Sequence, residues 1–301
     1  MLRLVARGGG VGDDGGMATT VRRPVLRVTL GDGQDPASTR RPDTLAVEEP
    51  LEIRLGDDPF TVTMRTPGHD VELALGFLVG EGVVRGPDDV LGAMHCPDAS
   101  RGPDGGPTHN VVEVTLAAGT APPPRTVVRR ITSACGVCGT DSIDAVRARS
   151  AVDVHADGAT VDPAVVAALP DRLREGQRVF DRTGGLHAAG LFTAGGDLLA
   201  VREDVGRHNA VDKVVGWAFQ RGMLPLRGHV LQVSGRASFE LVQKAAAAGC
   251  PVLAAVSAPS SLAVDLAVDA GLTLVGFSRG ASFNVYAHPH RVRPTPRTPG
   301  A

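Results

Sequence analysis

Residues 228–278 read Gly228-His-Val-Leu-Gln-Val-Ser-Gly-Arg-Ala-Ser238-Phe-Glu-Leu-Val-Gln-Lys-Ala-Ala-Ala-Ala-Gly-Cys250-Pro-Val-Leu-Ala-Ala-Val-Ser257-Ala-Pro-Ser-Ser-Leu-Ala-Val-Asp-Leu-Ala-Val-Asp-Ala-Gly-Leu272-Thr-Leu-Val-Gly-Phe-Ser278. Short aliphatic runs alternate with segments of helical spacing. The pattern predicts strands at 228–233, 251–256, 272–276 and 283–287, with helices at 238–248 and 260–269. Strand and helix in alternation argue for an α/β fold, a parallel or mixed sheet with helices on its faces. Upstream, helices are predicted at 163–175 and 209–221. Leu191-Phe-Thr193 pairs with 197–201 through Gly195-Gly196.

The N-terminal half reads differently. Residues 24–30 alternate like a strand, and 31–43 are polar turn formers. Residues 45–54 and 60–64 form a strand pair around Gly56-Asp57-Asp58. His69 to Gly80 carries a helical apolar stripe behind Pro67-Gly68. Residues 97–108 are a Pro/Gly/Asp loop, and 110–116 a strand. The expected organisation is a disordered tail at 1–22, a small α+β domain at 23–130, an α/β domain at 131–288 and a flexible tail at 289–301. The glycine-rich stretch Gly8–Gly16 leaves Met17 as a second candidate start.

Hydrophobic residues make up 43% of the 301 residues and aromatics only 3%, so the core is aliphatic. The formal charge of -2 provides no global field for a nucleic acid polymer. No apolar run approaches the roughly 18 residues of a membrane span. The cysteines are Cys96, Cys135, Cys138 and Cys250. One close pair and two isolated thiols are not a disulfide framework, which points to a reducing cytoplasm.

The sharpest chemical feature is Ser133-Ala-Cys135-Gly-Val-Cys138-Gly139. Two thiols at this spacing can approach each other at one turn or helix start, and flanking glycines leave the backbone flexible and the sulfurs accessible. Helix N-terminal amides or the upstream Arg129 and Arg130 would favour the reactive thiolate. Four readings stay open on these residues alone. A zinc site needs a second pair that Cys96 and Cys250 do not supply, so no metal set is expected. A thioredoxin-like redox pair needs its own βαβ context. Buried structural thiols fit poorly in a polar, glycine-rich setting. A thiolate carrying a persulfide fits it. Cys250, at a strand start, reads as a small buried hydrophobe; Cys96 beside His95 is too little for a site.

A second feature is Arg202-Glu-Asp-Val-Gly-Arg207-His208-Asn209, a charged strand end with Asn209 as the expected N-cap. Thr183-Gly-Gly-Leu-His187 places another histidine beside glycines. Each could be a solvated loop. A third feature repeats at strand ends: Ser234-Gly235-Arg236, Ser257 with Ser260-Ser261, and Gly276-Phe277-Ser278-Arg279-Gly280. Hydroxyls, arginines and helix amides gathered at one sheet edge form a cradle for phosphate, although serine alone is a common cap. None of these is a P-loop or dinucleotide fingerprint.

These motifs, with Val47-Glu-Glu-Pro-Leu-Glu-Ile53, Met64-Arg-Thr-Pro-Gly-His-Asp70 and Leu75-Gly-Phe-Leu-Val-Gly-Glu-Gly82, resemble in order the formate dehydrogenase accessory sulfurtransferases, over about residues 45–288. The resemblance implies a cytidine-deaminase-like fold for the larger domain. It implies sulfur taken from a cysteine desulfurase and passed to molybdenum bis-molybdopterin guanine dinucleotide, as formate dehydrogenase requires. Cys135 would hold the persulfide, with Cys138 assisting. Phe277, Ser278, Arg279, Gly280, Ala281 and Ser282 would match the cofactor-binding segment. Ser234, Gly235, Arg236, Ser257, His187, Arg207 and His208 would complete the cradle. The family's proteins tend to be homodimers. The rival readings are a non-catalytic cofactor chaperone, a redox switch, and a zinc-dependent nucleotide deaminase. The deaminase would need His-x-Glu and Pro-Cys-x-x-Cys, whereas Ala134 precedes Cys135 and no His-x-Glu lies upstream.

Overall fold

The computed structural model describes residues 17–31, 34–96, 108–120, 129–131 and 152–294. The chain is a mixed α/β structure with three sheets among these residues. A six-stranded sheet has the order β13-β12-β11-β10-β8-β9. Its strands are β8 His187–Thr193, β9 Leu198–Asp204, β10 His229–Val233, β11 Val252–Ala255, β12 Thr273–Arg279 and β13 Ser282–Ala287. Strands β10, β11 and β12 are parallel; β8, β9 and β13 run antiparallel to their neighbours.

A five-stranded sheet has the order β5-β6-β3-β4-β7. It comprises β3 Glu49–Leu55, β4 Asp58–Arg65, β5 Val90–His95, β6 Val111–Leu116 and β7 Arg129–Ile131. The third sheet is a hairpin of β1 Thr20–Gly31 and β2 Gln34–Ala46. The α-helices of the described residues are α1 Asp70–Gly80, α2 Pro163–Glu175, α3 Arg178–Thr183, α4 Arg207–Gln220, α5 Phe239–Ala247 and α6 Ser261–Asp269. None of the described helices is long and apolar enough to cross a membrane.

The aliphatic runs are continuous because the central strands bury both faces. Leu231, Val233, Leu253, Ala255 and Leu274 face a core shared with α1, α4 and the five-stranded sheet. Val230, Val252, Ala254 and Val275 face the opposite side, where Val166, Leu169 and Leu173 of α2 cover them. Helices α1 and α4 therefore lie between the two larger sheets.

Pairing overrides local propensity in several places. The turn formers at 31–43 lie largely within β2, registered against β1 from Thr20↔Ala46 to Thr29↔Ala37. Pro24 lies opposite Pro42, which a two-stranded ribbon tolerates because each strand has a free edge. Strands β5 and β7 and the six-residue α3 also form where the sequence reading placed no element. Helix α4 starts at Arg207 behind an extended Gly206. Asn209 is therefore not its cap. It is buried and donates through Nδ2 to Met64 O (2.7 Å) and Asp204 Oδ1 (2.9 Å).

The join between α1 and α4 depends on two glycines. A Cβ at Gly76 would lie 1.8 Å from the carbonyl oxygen of Asp212, and one at Gly216 would lie 1.8 Å from that of Glu72. The obstacle in both cases is backbone, so only helix separation could make room. We predict that Gly76→Ala lowers stability in urea unfolding by about 3 kcal/mol or more. Gly56→Ala, at a turn where φ is +57° and nothing lies within 4 Å, should lose only about 1 kcal/mol. Equal losses would show that the crossing is not so tight.

Candidate functional site

Because β10, β11 and β12 are parallel, their C-terminal ends share one edge, where open α/β sheets bind ligands. The antiparallel β8 starts at this edge with His187, and β9 ends there at Asp204, its register partner. A cleft of about 590 Å³ opens there, within the roughly 300–1,000 Å³ range of small-ligand sites. Gly184, Gly185, Leu186, His187, Ser234, Val256, Arg279 and Gly280 line one part of it. Pro170, Asp171, Leu173, Arg174, Gln177 and Phe180, from α2 and the start of α3, line the other.

The strand-end side is held by main-chain contacts. Ser234 Oγ accepts from Ala188 N (2.8 Å), and Ser234 N donates to Ala188 O (2.9 Å). Gly235 lies against His187, whose Nδ1 would meet an added Cβ at 3.4 Å. Beyond Gly276 the β12–β13 pairing slips its register before Arg279↔Ser282. Within that slip Phe277 adopts φ +54°, a left-handed conformation costly for an aromatic residue, and remains 37% exposed. Its N–H donates to Ser257 O (3.1 Å).

The cleft is bordered by positive charge. Burial, reinforced by Arg207, His208 and Arg236, lowers the His187 pKa, so its imidazole is neutral at pH 7. His208 Nε2 lies 2.5 Å from Glu240 Oε2 and 3.3 Å from Ser238 Oγ. Burial acts to raise the Glu240 pKa, but hydrogen bonding and charge from His208 outweigh it and hold that carboxyl below the usual range. Arg207 Nε is sealed from solvent without a hydrogen-bond partner.

Of the residues singled out by sequence, His187, Ser234, Arg279 and Gly280 line the cleft. Gly235 and Ser257 are not in its lining; Gly235 packs against His187, and Ser257 N donates to Gly235 O (3.3 Å). Arg207 and His208 open α4 beside His187, and Arg236 is exposed. Ala281 and Ser282 are exposed at the β12–β13 turn. Ser278 is fully buried and its Oγ donates to Val166 O (3.3 Å), so its hydroxyl faces α2. Cys135 and Cys138 lie outside the described residues. Sequence reasoning missed Asp171, Arg174, Gln177 and Phe180. Part of the signal was present: Asp171 and Arg174 are three residues apart on α2, beside the buried stripe Val166, Leu169 and Leu173.

A smaller pocket of about 120 Å³ adjoins the cleft through Leu186 and is lined by His69, Arg202, Glu203 and Lys213. Arg202 forks to Glu72, with Nε 2.5 Å from Oε2 and Nη2 2.8 Å from Oε1. Lys213 Nζ lies 2.7 Å from Asp204 Oδ2 and donates to Thr66 O (2.8 Å). Burial and the Arg202 charge push the pKa of His69 down to about 4.

The FdhD/NarQ family model matches residues 46–293. "Sulfur carrier protein FdhD" of Streptomyces avermitilis is 58% identical over 277 residues, covering 91% of this chain and 95% of the relative. The protein of the same name from Mycobacterium tuberculosis is 58% identical over 255 residues, covering 84% and 92%. A crystal structure from Desulfotalea psychrophila, described as a formate dehydrogenase accessory protein, superposes with a TM-score of 0.69. It is 22% identical and covers 91% of this chain and all of that one, a likeness of fold.

The depressed pKa of His69 has a consequence for stability. Its folded pKa lies below the usual 6.5, so the unfolded chain takes up the proton first as pH falls. The group has no effect above pH 6.5, and stability drops progressively from there toward pH 4. Arg202 and Lys213 resist the proton, while Glu72 and Asp70 favour it. The side chain is 39% exposed, so solvent screening limits the loss to about 1 kcal/mol at pH 5. The gap between the urea midpoints at pH 7 and pH 5 should narrow in His69→Asn, which keeps a residue tolerant of positive φ. An unchanged pH dependence would remove His69 from the account.

Proposed function

This chain belongs to the FdhD/NarQ family, and we propose that it is a sulfur carrier serving formate dehydrogenase. It accepts sulfur from a cysteine desulfurase as a persulfide on Cys135. It passes that sulfur to molybdenum bis-molybdopterin guanine dinucleotide, which is its substrate. The name of the close relatives supports the carrier role, and the strand-end cleft supports a phosphate-bearing acceptor.

The chemistry assigns work to both thiols. In loading, the Cys135 thiolate attacks the outer sulfur of the donor's persulfide. A Cys135 S–S bond forms, the donor S–S bond breaks, and the donor leaves as a thiolate. The carried sulfur is at oxidation state zero, whereas a sulfido ligand on a metal is sulfide. Delivery therefore needs two electrons. The Cys138 thiolate supplies them by attacking the inner sulfur, closing a Cys135–Cys138 disulfide as sulfide departs to the metal. Arg279, Ser234 and the cationic start of α4 hold the acceptor's phosphates. Neutral His187 donates or accepts a hydrogen bond without adding charge. Placing the terminal sulfur beside the metal is the rate-determining contribution. The protein acts in the cytoplasm as a homodimer.

The single observation carrying this reading is the cleft, where Ser234, His187 and Arg279 from separate chain segments meet at one sheet edge. Incubation with a desulfurase and radiolabelled cysteine should label the peptide containing Cys135. The same peptide should gain one sulfur atom by mass. Cys138→Ser should load normally and deliver only when an external thiol is added. Full maturation of formate dehydrogenase by Cys135→Ala would instead favour a chaperone that never carries sulfur.

A further inference from the structure

No residue of the β1–β2 ribbon lines the cleft, and the ribbon stands exposed. Leu26, Val28 and Leu30 are 60%, 54% and 79% exposed, and on β2 every residue from Pro36 to Asp43 is exposed. Among the described residues the two strands neighbour only each other. A two-stranded ribbon is marginal in water unless a third strand or a packed face supports it.

One edge of the ribbon is guarded and the other is open. Proline has no N–H, so the opposed Pro24 and Pro42 turn their nitrogens out of the β1–β2 ladder. Backbone direction alternates along a strand, so the N–H groups of Leu26 and Val28 also point outward from β1. β2 carries Pro42 at its outer edge and Pro36 near its start, and proline is a usual guard against edge pairing. Past Pro24, β1 contains no proline.

The two faces of this open edge differ in chemistry. Side chains alternate, so Leu26 and Val28 share one face, with Leu30 next beyond them, while Arg23 and Arg27 share the other. Arg41 joins that second face opposite Val25. The described side chains of the ribbon include five arginines, at positions 22, 23, 27, 40 and 41, against the single carboxylate of Asp43. An acidic segment therefore complements this ribbon, and a basic one is repelled.

We propose that the outer edge of β1 is a docking strand for an extended segment of a partner protein that alternates apolar and acidic residues. The segment's main chain pairs with the outward groups of Leu26 and Val28. Its apolar side chains lie beside Leu26 and Val28, and its carboxylates lie beside Arg23 and Arg27. Docking makes the ribbon three-stranded and covers the apolar stripe.

Fluorescence anisotropy of labelled heptapeptides with the full chain at pH 7 tests it. The probes are an alternating glutamate–valine peptide, its lysine–valine counterpart, and an isomer of the first with the glutamates gathered at one end. The alternating acidic peptide should bind about tenfold or more tightly than either control. Leu26→Pro removes an outward N–H while sparing the ladder to β2, and should weaken that binding about tenfold. Joint Arg23→Glu and Arg27→Glu substitution should turn the preference toward the lysine peptide, a gain that only a folded ribbon can show. Equal binding of the gathered isomer, undiminished binding by Leu26→Pro, or an unreversed preference in the glutamate variant would overturn the assignment. Failure of the alternating peptide to bind, with or without binding of phosphatidylglycerol vesicles, would overturn it too; vesicle binding would mark the ribbon as a membrane-surface contact instead.

Discussion

The carboxylate of Asp204 is the constraint on which this structure turns. It is fully buried at the end of β9 and is approached from three parts of the chain. Thr66 N reaches Oδ2 (3.1 Å) from the β4–α1 connection, and Gly206 N reaches Oδ1 (2.8 Å) from the turn into α4. Asn209 Nδ2 and Lys213 Nζ reach it from α4 itself. A buried charge is tolerable only when so fully paired. Pairing it here fixes the start of α4 and locks the N-terminal sheet against the larger one. A second buried pair lies one residue before Thr66, where Arg65 donates to Asp70 through Nε (3.0 Å) and Nη2 (2.9 Å). The same network thus fixes the starts of the two helices that approach closely at Gly76 and Gly216.

That anchoring has a chemical consequence. With β9 ended and α4 begun at the sheet edge, Arg207 and His208 stand next to His187, across from the ends of β10 to β12. A chain of near-neutral charge thereby concentrates cationic and hydrogen-bonding groups where an anionic ligand would lie. Placing such groups in a fixed scaffold, rather than on the chain at large, is what orienting a bound ligand requires. The strained backbone at Phe277 belongs to the same edge, as strain at functional sites commonly does.

Much of this was legible in the sequence. The alternation over 228–287 identified the sheet because buried parallel strands must be continuously aliphatic. The order of motifs identified the family. Other features were hidden for physical reasons. Asn209 has the chemistry of a cap, yet a buried carboxylate five residues earlier competes for its side chain. Ser278 looks like a ligand hydroxyl, but the β12 pleat turns it toward α2. Strand β2 contains prolines and polar residues that local propensity reads as loop, and only its pairing with β1 makes it a strand. Gln177 and Phe180 escaped because α3 is one short turn-like helix, and because the cleft's far wall comes from a helix whose inner stripe looked like ordinary core.

The central claim is that sulfur held on Cys135 ends as a ligand of the metal in a cofactor seated at this sheet edge. The most direct measurement is single-turnover transfer. The chain, loaded with radiolabelled persulfide and freed of donor, is mixed with cofactor-containing, sulfur-free formate dehydrogenase, and the cofactor is then extracted. The account predicts label on the molybdenum centre, with formate oxidation rising in step with it. Activity gained with unlabelled metal, the radiolabel remaining on the carrier or lost as free sulfide, would contradict it.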